Sequence, residues 1–157
     1  VGGRGCFRRR AGGYHDGMPR FRLEVPSALF EAMLAHARSV SPNECCGFLA
    51  GHIEAGVGRV THHIPLTNEL ASPTEYAVPV KELLQAAKEM RSAGTVELAV
   101  YHSHPTSAPI PSPRDIERNG YGDAVVHVII GLAGDAPDVR AWWLTGAGVR
   151  PAEWVVV

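Results

Sequence analysis

The chain has 157 residues, 45% of them hydrophobic, which is enough for one buried core and too few for two. No apolar run approaches the roughly 20 residues of a membrane-spanning helix, so no membrane association is expected. The net charge of −1 is unevenly divided: the first 22 residues hold six arginines and a single acid, Asp16, whereas residues 23–157 carry 9 basic and 15 acidic residues. An acidic body lacks the clustered Lys and Arg that nucleic acid requires, and no nucleic-acid partner is expected.

Taken in chain order, residues 1–17 have neither a 2- nor a 3.6-residue period and too little apolar content to pack. They predict a disordered extension ahead of a single domain at 18–157, with Met18 as the start of the functional unit. The extension has no apolar segment behind its basic residues, so a secretory signal is not expected. Cysteines stand at positions 6, 45 and 46, an odd number with two adjacent, which is no disulfide framework and fits a reducing, cytoplasmic compartment.

Phe21, Leu23 and Val25 alternate with polar neighbours as a half-buried strand. Pro26-Ser27 then opens a helix with Leu29, Phe30, Met33, Leu34 and Ala37 on one face. After the turn residues Ser41-Pro42-Asn43, positions 46–51 read as a buried strand with Glu44 at its mouth. A strand is expected over 60–65, then an irregular stretch over 66–79. A second helix follows from Val80 to about Ser92, with Val80, Leu83, Leu84, Ala87 and Met90 on its apolar side and Gly94 as its stop. Positions 97–102 read as an interior strand. A proline-rich loop ends at Ser112-Pro113, where an N-cap serine and a proline at the first helical position announce a short helix reaching Asn119. Three closing strands are predicted, at 124–130, 139–144 and 153–157. The order implies an α/β fold, a single-domain mixed sheet flanked by helices.

The chemistry concentrates between Tyr101 and Asp115. Residues two apart on a strand share a face, so His102 and His104 present their imidazoles to one point. The loop after them can return Asp115 to the same point. Two imidazoles and a carboxylate form a mixed N/O set that suits zinc and leaves a fourth position open for water. Such a site needs a carboxylate outside the metal shell to move protons, and Glu44, beside a buried strand that would raise its pKa, is the candidate. The Ser112 hydroxyl can donate to an oxyanion developing on an attacked carbonyl. Taken singly these features have plainer readings: a His-x-His on a half-exposed strand needs no metal, and Ser112-Pro113-x-Asp115 is a helix cap with an acid in its first turn.

Together they resemble a known pattern. His102-Ser103-His104-Pro105, the seven residues 105–111, and Ser112-Pro113-Arg114-Asp115 resemble the His-x-His-x7-Ser-x2-Asp signature of the JAMM (MPN+) metalloproteases. Glu44-Cys45-Cys46-Gly47 is similar to that family's Glu-x-x-Gly segment. The resemblance spans about Phe21 to Trp154 and implies an MPN/JAB, cytidine-deaminase-like fold. It further implies one Zn2+ per chain on His102, His104 and Asp115, Glu44 as general acid/base, and Ser112 as a stabiliser of the tetrahedral intermediate. With only short connections around the signature, the chain is similar to minimal bacterial or archaeal members. Those are associated with ubiquitin-like sulfur carrier proteins, cleaving after a C-terminal Gly-Gly or releasing a cysteine attached there. The implied partner is the tail of such a carrier, bound by strand addition, with Asn68–Tyr76 lining the groove.

Rival readings meet the same residues. A zinc deaminase needs His-x-Glu and a downstream Pro-Cys-x-x-Cys, and neither is present. A cysteine hydrolase using Cys45 or Cys46 would draw on thiols in an apolar run, where they are normally inert. A noncatalytic metal-binding MPN interaction module is the alternative that the sequence leaves open. His62 and His63 point to opposite faces, His36, His52 and His127 stand alone as surface or satisfied core residues, and Trp142, Trp143 and Trp154 are read as core packing.

Overall fold

A computed structural model describes residues 20–157, so the expectations for residues 1–17 and for Met18 lie outside the described residues. In chain order the elements are β1 (Arg22–Val25), α1 (Ser27–Val40), β2 (Cys46–Glu54), β3 (Val57–Leu66), α2 (Val80–Ala93), β4 (Val96–His104), α3 (Pro113–Glu117), β5 (Val126–Gly131), β6 (Asp138–Thr145), β7 (Gly148–Pro151) and β8 (Trp154–Val156). The strands form one mixed sheet in the order β7-β6-β5-β4-β2-β3-β1-β8. β4 lies inside it, antiparallel to β2 and parallel to β5. A strand paired on both sides must be apolar on both faces, and from Leu98 to His104 every residue of β4 is buried.

The two faces carry separate cores. On one, Met33, Leu34 and Ala37 of α1 pack with Leu23, Leu49, Tyr101, Ile130 and Trp143. On the other, Ala86 of α2 packs with Phe48, Leu66 and Val100, backed by Leu83, Met90 and Tyr121. α1 uses the face its sequence predicts. α2 does not: Val80 and Leu84 are 71% and 61% exposed, and the buried stripe is Leu83, Ala86 and Met90. Leu83 and Met90 are common to both, and the exchange of Val80, Leu84 and Ala87 for Ala86 turns the packed face by roughly 60°. Gly94 ends α2 as predicted, in the left-handed conformation at φ 66°.

Several boundaries differ from expectation, β2 and β3 running longer than predicted, to Glu54 and from Val57 to Leu66. α3 stops at Glu117 rather than Asn119, β5 begins at Val126, and four strands rather than three close the chain. The extra one, β7, has all four residues exposed and so carries no alternating pattern to read. Trp143 is core, but Trp142 is half-buried, its indole N–H donating to the Pro109 carbonyl at 2.9 Å, and Trp154 packs on Phe30.

Candidate metal centre and adjoining cleft

The last residues of β4 alternate across the sheet. Tyr101 and Ser103 face one way, and His102 and His104, 1% and 5% exposed, face the other with their Nε2 atoms 3.1 Å apart. Asp115 reaches them from α3. The Ser112 hydroxyl oxygen accepts from the Asp115 N–H at 3.1 Å, and the Asp115 Oδ2 accepts from the Ser112 N–H at 2.8 Å. This reciprocal capping box fixes the carboxylate at the start of the helix. The same Oδ2 lies 3.2 Å from His104 Nε2 and 3.4 Å from His102 Nε2. The three side chains offer ligand atoms within 4.8 Å of one another, a group that could hold a metal ion.

The donor chemistry fits a cation. His104 Nδ1 lies 2.8 Å from the Ala108 carbonyl, which can only accept, so Nδ1 carries the proton and Nε2 is left with a lone pair. A proton competes for the same point: burial lowers the His104 pKa, but the Asp115 and Ala108 hydrogen bonds and the Asp115 charge more than reverse this, leaving it raised. Burial also opposes ionisation of Asp115. The hydrogen bonds from His102 and His104, the charge of His102 and the Ser112 N–H overcome it and hold the carboxyl well below the usual range. Asp115 is thereby held in its anionic form.

Glu44 lies two residues before β2, the antiparallel neighbour of β4. Just beyond it, the Cys45 N–H donates to Ser103 Oγ at 2.8 Å and the Ser103 N–H donates to the Cys45 carbonyl at 3.2 Å, tying the mouth of β2 to the histidine strand. The Glu44 N–H donates to the Ser72 carbonyl at 2.8 Å, and its own carbonyl accepts from Asn68 Nδ2 at 3.0 Å. Gly47 pairs with Tyr101, and a Cβ there would strike the tyrosine ring, so the glycine of the Glu-x-x-Gly segment is required by close packing. Glu44 is 4% exposed. Burial pushes its pKa up to about 7, a rise that the charge of His104 opposes and that of Asp115 supports.

Glu44, His102 and Asp115 open onto one cleft of about 280 Å³, whose lining also includes Tyr76, Leu83, Arg114, Tyr121 and His127. Ser112 is half-buried at its cap and is not part of that lining; its oxygen accepts the Asp115 N–H while its O–H proton stays available to donate. Cys45 and Cys46 are fully buried, with burial pushing their thiols up to about 11 and 12, which leaves no nucleophile there.

The sequence reading places Asn68–Tyr76 along the groove, but several contacts are not legible in it. Asn68 is a hub whose amide donates to the carbonyls of Glu44 and Glu75 and whose Oδ1 accepts from the N–H groups of Leu70 and Ala77, giving the 67–79 loop its shape. Its signal is an asparagine in a turn-rich stretch. Tyr76 lies against the His102 ring with centroids 5.2 Å apart. His127 is not a satisfied core residue: it is 4% exposed and its Nε2 has no partner among the described residues, a buried imidazole inside an otherwise apolar strand. His36 is not alone either, since its Nδ1 and the Nε2 of His63 both meet the Tyr101 hydroxyl, at 2.6 and 2.7 Å, on the far side of the sheet.

Residues 26–145 match the family model described as prokaryotic homologs of the JAB domain. The chain belongs to this family. Among JAB relatives it is 41% identical over 145 residues to the probable TtuB-protein conjugate cleaving protease of Thermus thermophilus, covering 92% of this chain and 86% of that one. It is 40% identical over 95 residues to the CysO-cysteine peptidase of Mycobacterium tuberculosis, covering 60% of this chain and 64% of that protein. The desampylase of Haloferax volcanii is 35% identical over 106 residues, 64% of this chain and 75% of its own. The solution structure of protein DSY2949 from Desulfitobacterium hafniense superposes with a TM-score of 0.79 at 32% identity, covering 86% of this chain and 92% of that one. The JAB fold expected from the signature is thus the fold observed. The names of the relatives are those of peptidases and conjugate-cleaving proteases. No helix among the described residues is long and apolar enough to cross a membrane.

Proposed function

We propose that this JAB chain is a zinc-dependent peptidase or isopeptidase that hydrolyses an amide bond at the C-terminal tail of a ubiquitin-like, sulfur-carrier-type protein. The observation that carries the reading is that His102, His104 and Asp115 form one group able to hold a metal ion, and that two of them, His102 and Asp115, open onto the same cleft as Glu44. The names of its relatives, a CysO-cysteine peptidase, a TtuB-conjugate protease and desampylases, support the substrate class.

In this reading His102 and His104 through Nε2, and Asp115 through Oδ2, hold the ion. Zinc on three such ligands supplies Lewis acidity and brings water ionisation near neutral pH. Glu44, with its pKa pushed to about 7, is poised to take a proton from the attacking water and return it to the departing amine. The Ser112 O–H donates to the carbonyl oxygen as it gains charge. Among the described residues the outermost strands of the sheet, β7 and β8, are three and four strands away from β4. At about 4.8 Å per strand this is some 14–19 Å, too far for a tail paired there to reach Glu44 directly. The extended partner for the tail is instead the 67–79 loop, whose residues Thr74 to Val78 line the cleft.

The direct test is incubation of zinc-loaded protein with ubiquitin-like carriers extended beyond Gly-Gly, read by mass spectrometry. Release of the extension at the Gly-Gly carboxyl is expected. Intact carriers together with stoichiometric zinc would instead support a noncatalytic metal-binding module.

A further inference from the structure

The wall of the cleft opposite the loop carries two arginines that the proposed proton chemistry leaves unused. Arg114 and Arg118 are one helical turn apart, so they project side by side from α3. Both meet the same atom, Glu75 Oε1, each through Nη1 at 3.2 Å, and Arg114 Nη1 also donates to the Thr74 carbonyl at 3.3 Å. Among the described residues these are the only polar partners of the two guanidinium groups. A guanidinium has five N–H donors in a planar fork suited to carboxylates. Here one carboxylate oxygen occupies one corner of two forks, and the remaining edges face solvent and the cleft, with the arginine side chains 47% and 57% exposed. Arg114, Arg118 and Glu75 all line the cleft onto which Glu44 opens.

We infer that Arg114 and Arg118 are a recognition pair for a free α-carboxylate on the leaving group, with Glu75 as the internal carboxylate that the substrate displaces. The inference rests on the hydrolase reading above and narrows its substrate to a carrier tail bearing a single terminal amino acid. In that reaction the amide C–N bond breaks and the water oxygen bonds to the carbonyl carbon, leaving the carrier as a carboxylate. Both water protons end on the departing nitrogen, so the amino acid leaves with its amine protonated and its α-carboxylate unchanged.

Three observations favour this leaving group. First, an α-carboxyl carbon is two bonds, about 2.5 Å, from the scissile nitrogen, so its charge always lies beside the reacting point. An isopeptide to a lysine in a folded protein puts four methylenes and neutral backbone there, with nothing for an arginine fork to hold. Second, a Gly-Gly tail is uncharged and cannot be what the arginines read. Third, the cleft volume of about 280 Å³ lies at the small end of ligand pockets, the size for one amino acid rather than a folded acceptor.

The test uses two synthetic peptides ending in Gly-Gly-Ala, one with a free carboxyl terminus and one as the carboxamide, with zinc-loaded full chain. The wild type is expected to show a KM at least about tenfold lower for the acid, as charge-assisted bonds to arginine require. In Arg114→Gln/Arg118→Gln that ratio collapses toward one, and in Glu75→Gln it widens because the internal competitor is gone. Equal KM values in the wild type, or a ratio untouched by the double substitution, overturn the inference while leaving the hydrolase reading intact. Equilibrium binding of the same peptides to Glu44→Gln protein asks the question without turnover. Tighter binding of the acid there that is lost on adding Arg114→Gln/Arg118→Gln upholds the arginine pair even if neither peptide is cleaved by the wild type, an outcome that sinks only the hydrolase reading; equal binding, or a preference that survives the added substitutions, overturns the pair.

Discussion

Replacing Glu44 by Gln removes the carboxylate that the reading makes essential while keeping its size. The buried Glu44 has a pKa of about 7, so near neutral pH roughly half of it is the base form, and a neutral amide resembles the inactive, protonated half. General acid–base catalysis contributes about 10²–10⁴, or roughly 2.7–5.5 kcal/mol at 1.36 kcal/mol per decade. The loss is expected in kcat. Zinc content is expected to hold at one per chain, because none of the three ligand atoms is touched. Folding is expected to hold as well. A carboxyl whose folded pKa is raised to about 7 stabilises below its unfolded value near 4.5 and loses that contribution as pH climbs through 7, so Gln is neutral or stabilising at pH 8. The assay is single-turnover cleavage alongside metal analysis and thermal melting. In the wild type, activity rises with pH as Glu44 ionises, with its midpoint at or below 7 once a divalent cation sits nearby. A Gln variant within about tenfold of wild type, or one that loses zinc with its activity, refutes the reasoning.

Asp115→Asn keeps an acceptor for the Ser112 N–H but loses the anion, and zinc affinity is expected to fall by more than the 10–100-fold that outer-shell partners usually account for, measured by competition with a chelator. Glu97, with its Oε1 buried and without a hydrogen-bond partner among the described residues and its pKa pushed by burial to about 7, destabilises the fold as pH rises from 4.5 to 7. Glu97→Gln is accordingly expected to raise Tm at pH 8, by up to about 3 kcal/mol equivalent, and to change little at pH 4; an unchanged Tm at pH 8 counts against the shift. Cys45 and Cys46, buried with thiols at about 11 and 12, are expected to resist alkylation at pH 8 until the protein unfolds, and rapid labelling of native protein would contradict their burial.

What can be read in advance follows from range along the chain. The helices and interior strands announce themselves because their periodic apolar residues answer to a core that any packing must build. The capping box and the His-x-His pair are local, so Ser112, Asp115, His102 and His104 are legible together. Glu44 is found through its signature, yet what positions it, the Cys45–Ser103 clamp and the Asn68 amide, joins residues 58 and 24 apart. No window of sequence contains such contacts. The side of α2 that packs, and the meeting of Arg114 and Arg118 with Glu75, depend likewise on how separate elements come to rest against each other.

The shared oxygen of Asp115 has one more consequence. Oδ2 already accepts the Ser112 amide proton at the start of its own helix, so a cation held there would share that oxygen with the cap. It also cannot swing away unless the first turn of a five-residue helix opens. The lifetime of an ion held there would therefore be tied to the fraying of α3. Ser112→Ala, by loosening that turn, is expected to quicken metal exchange more than it weakens metal affinity.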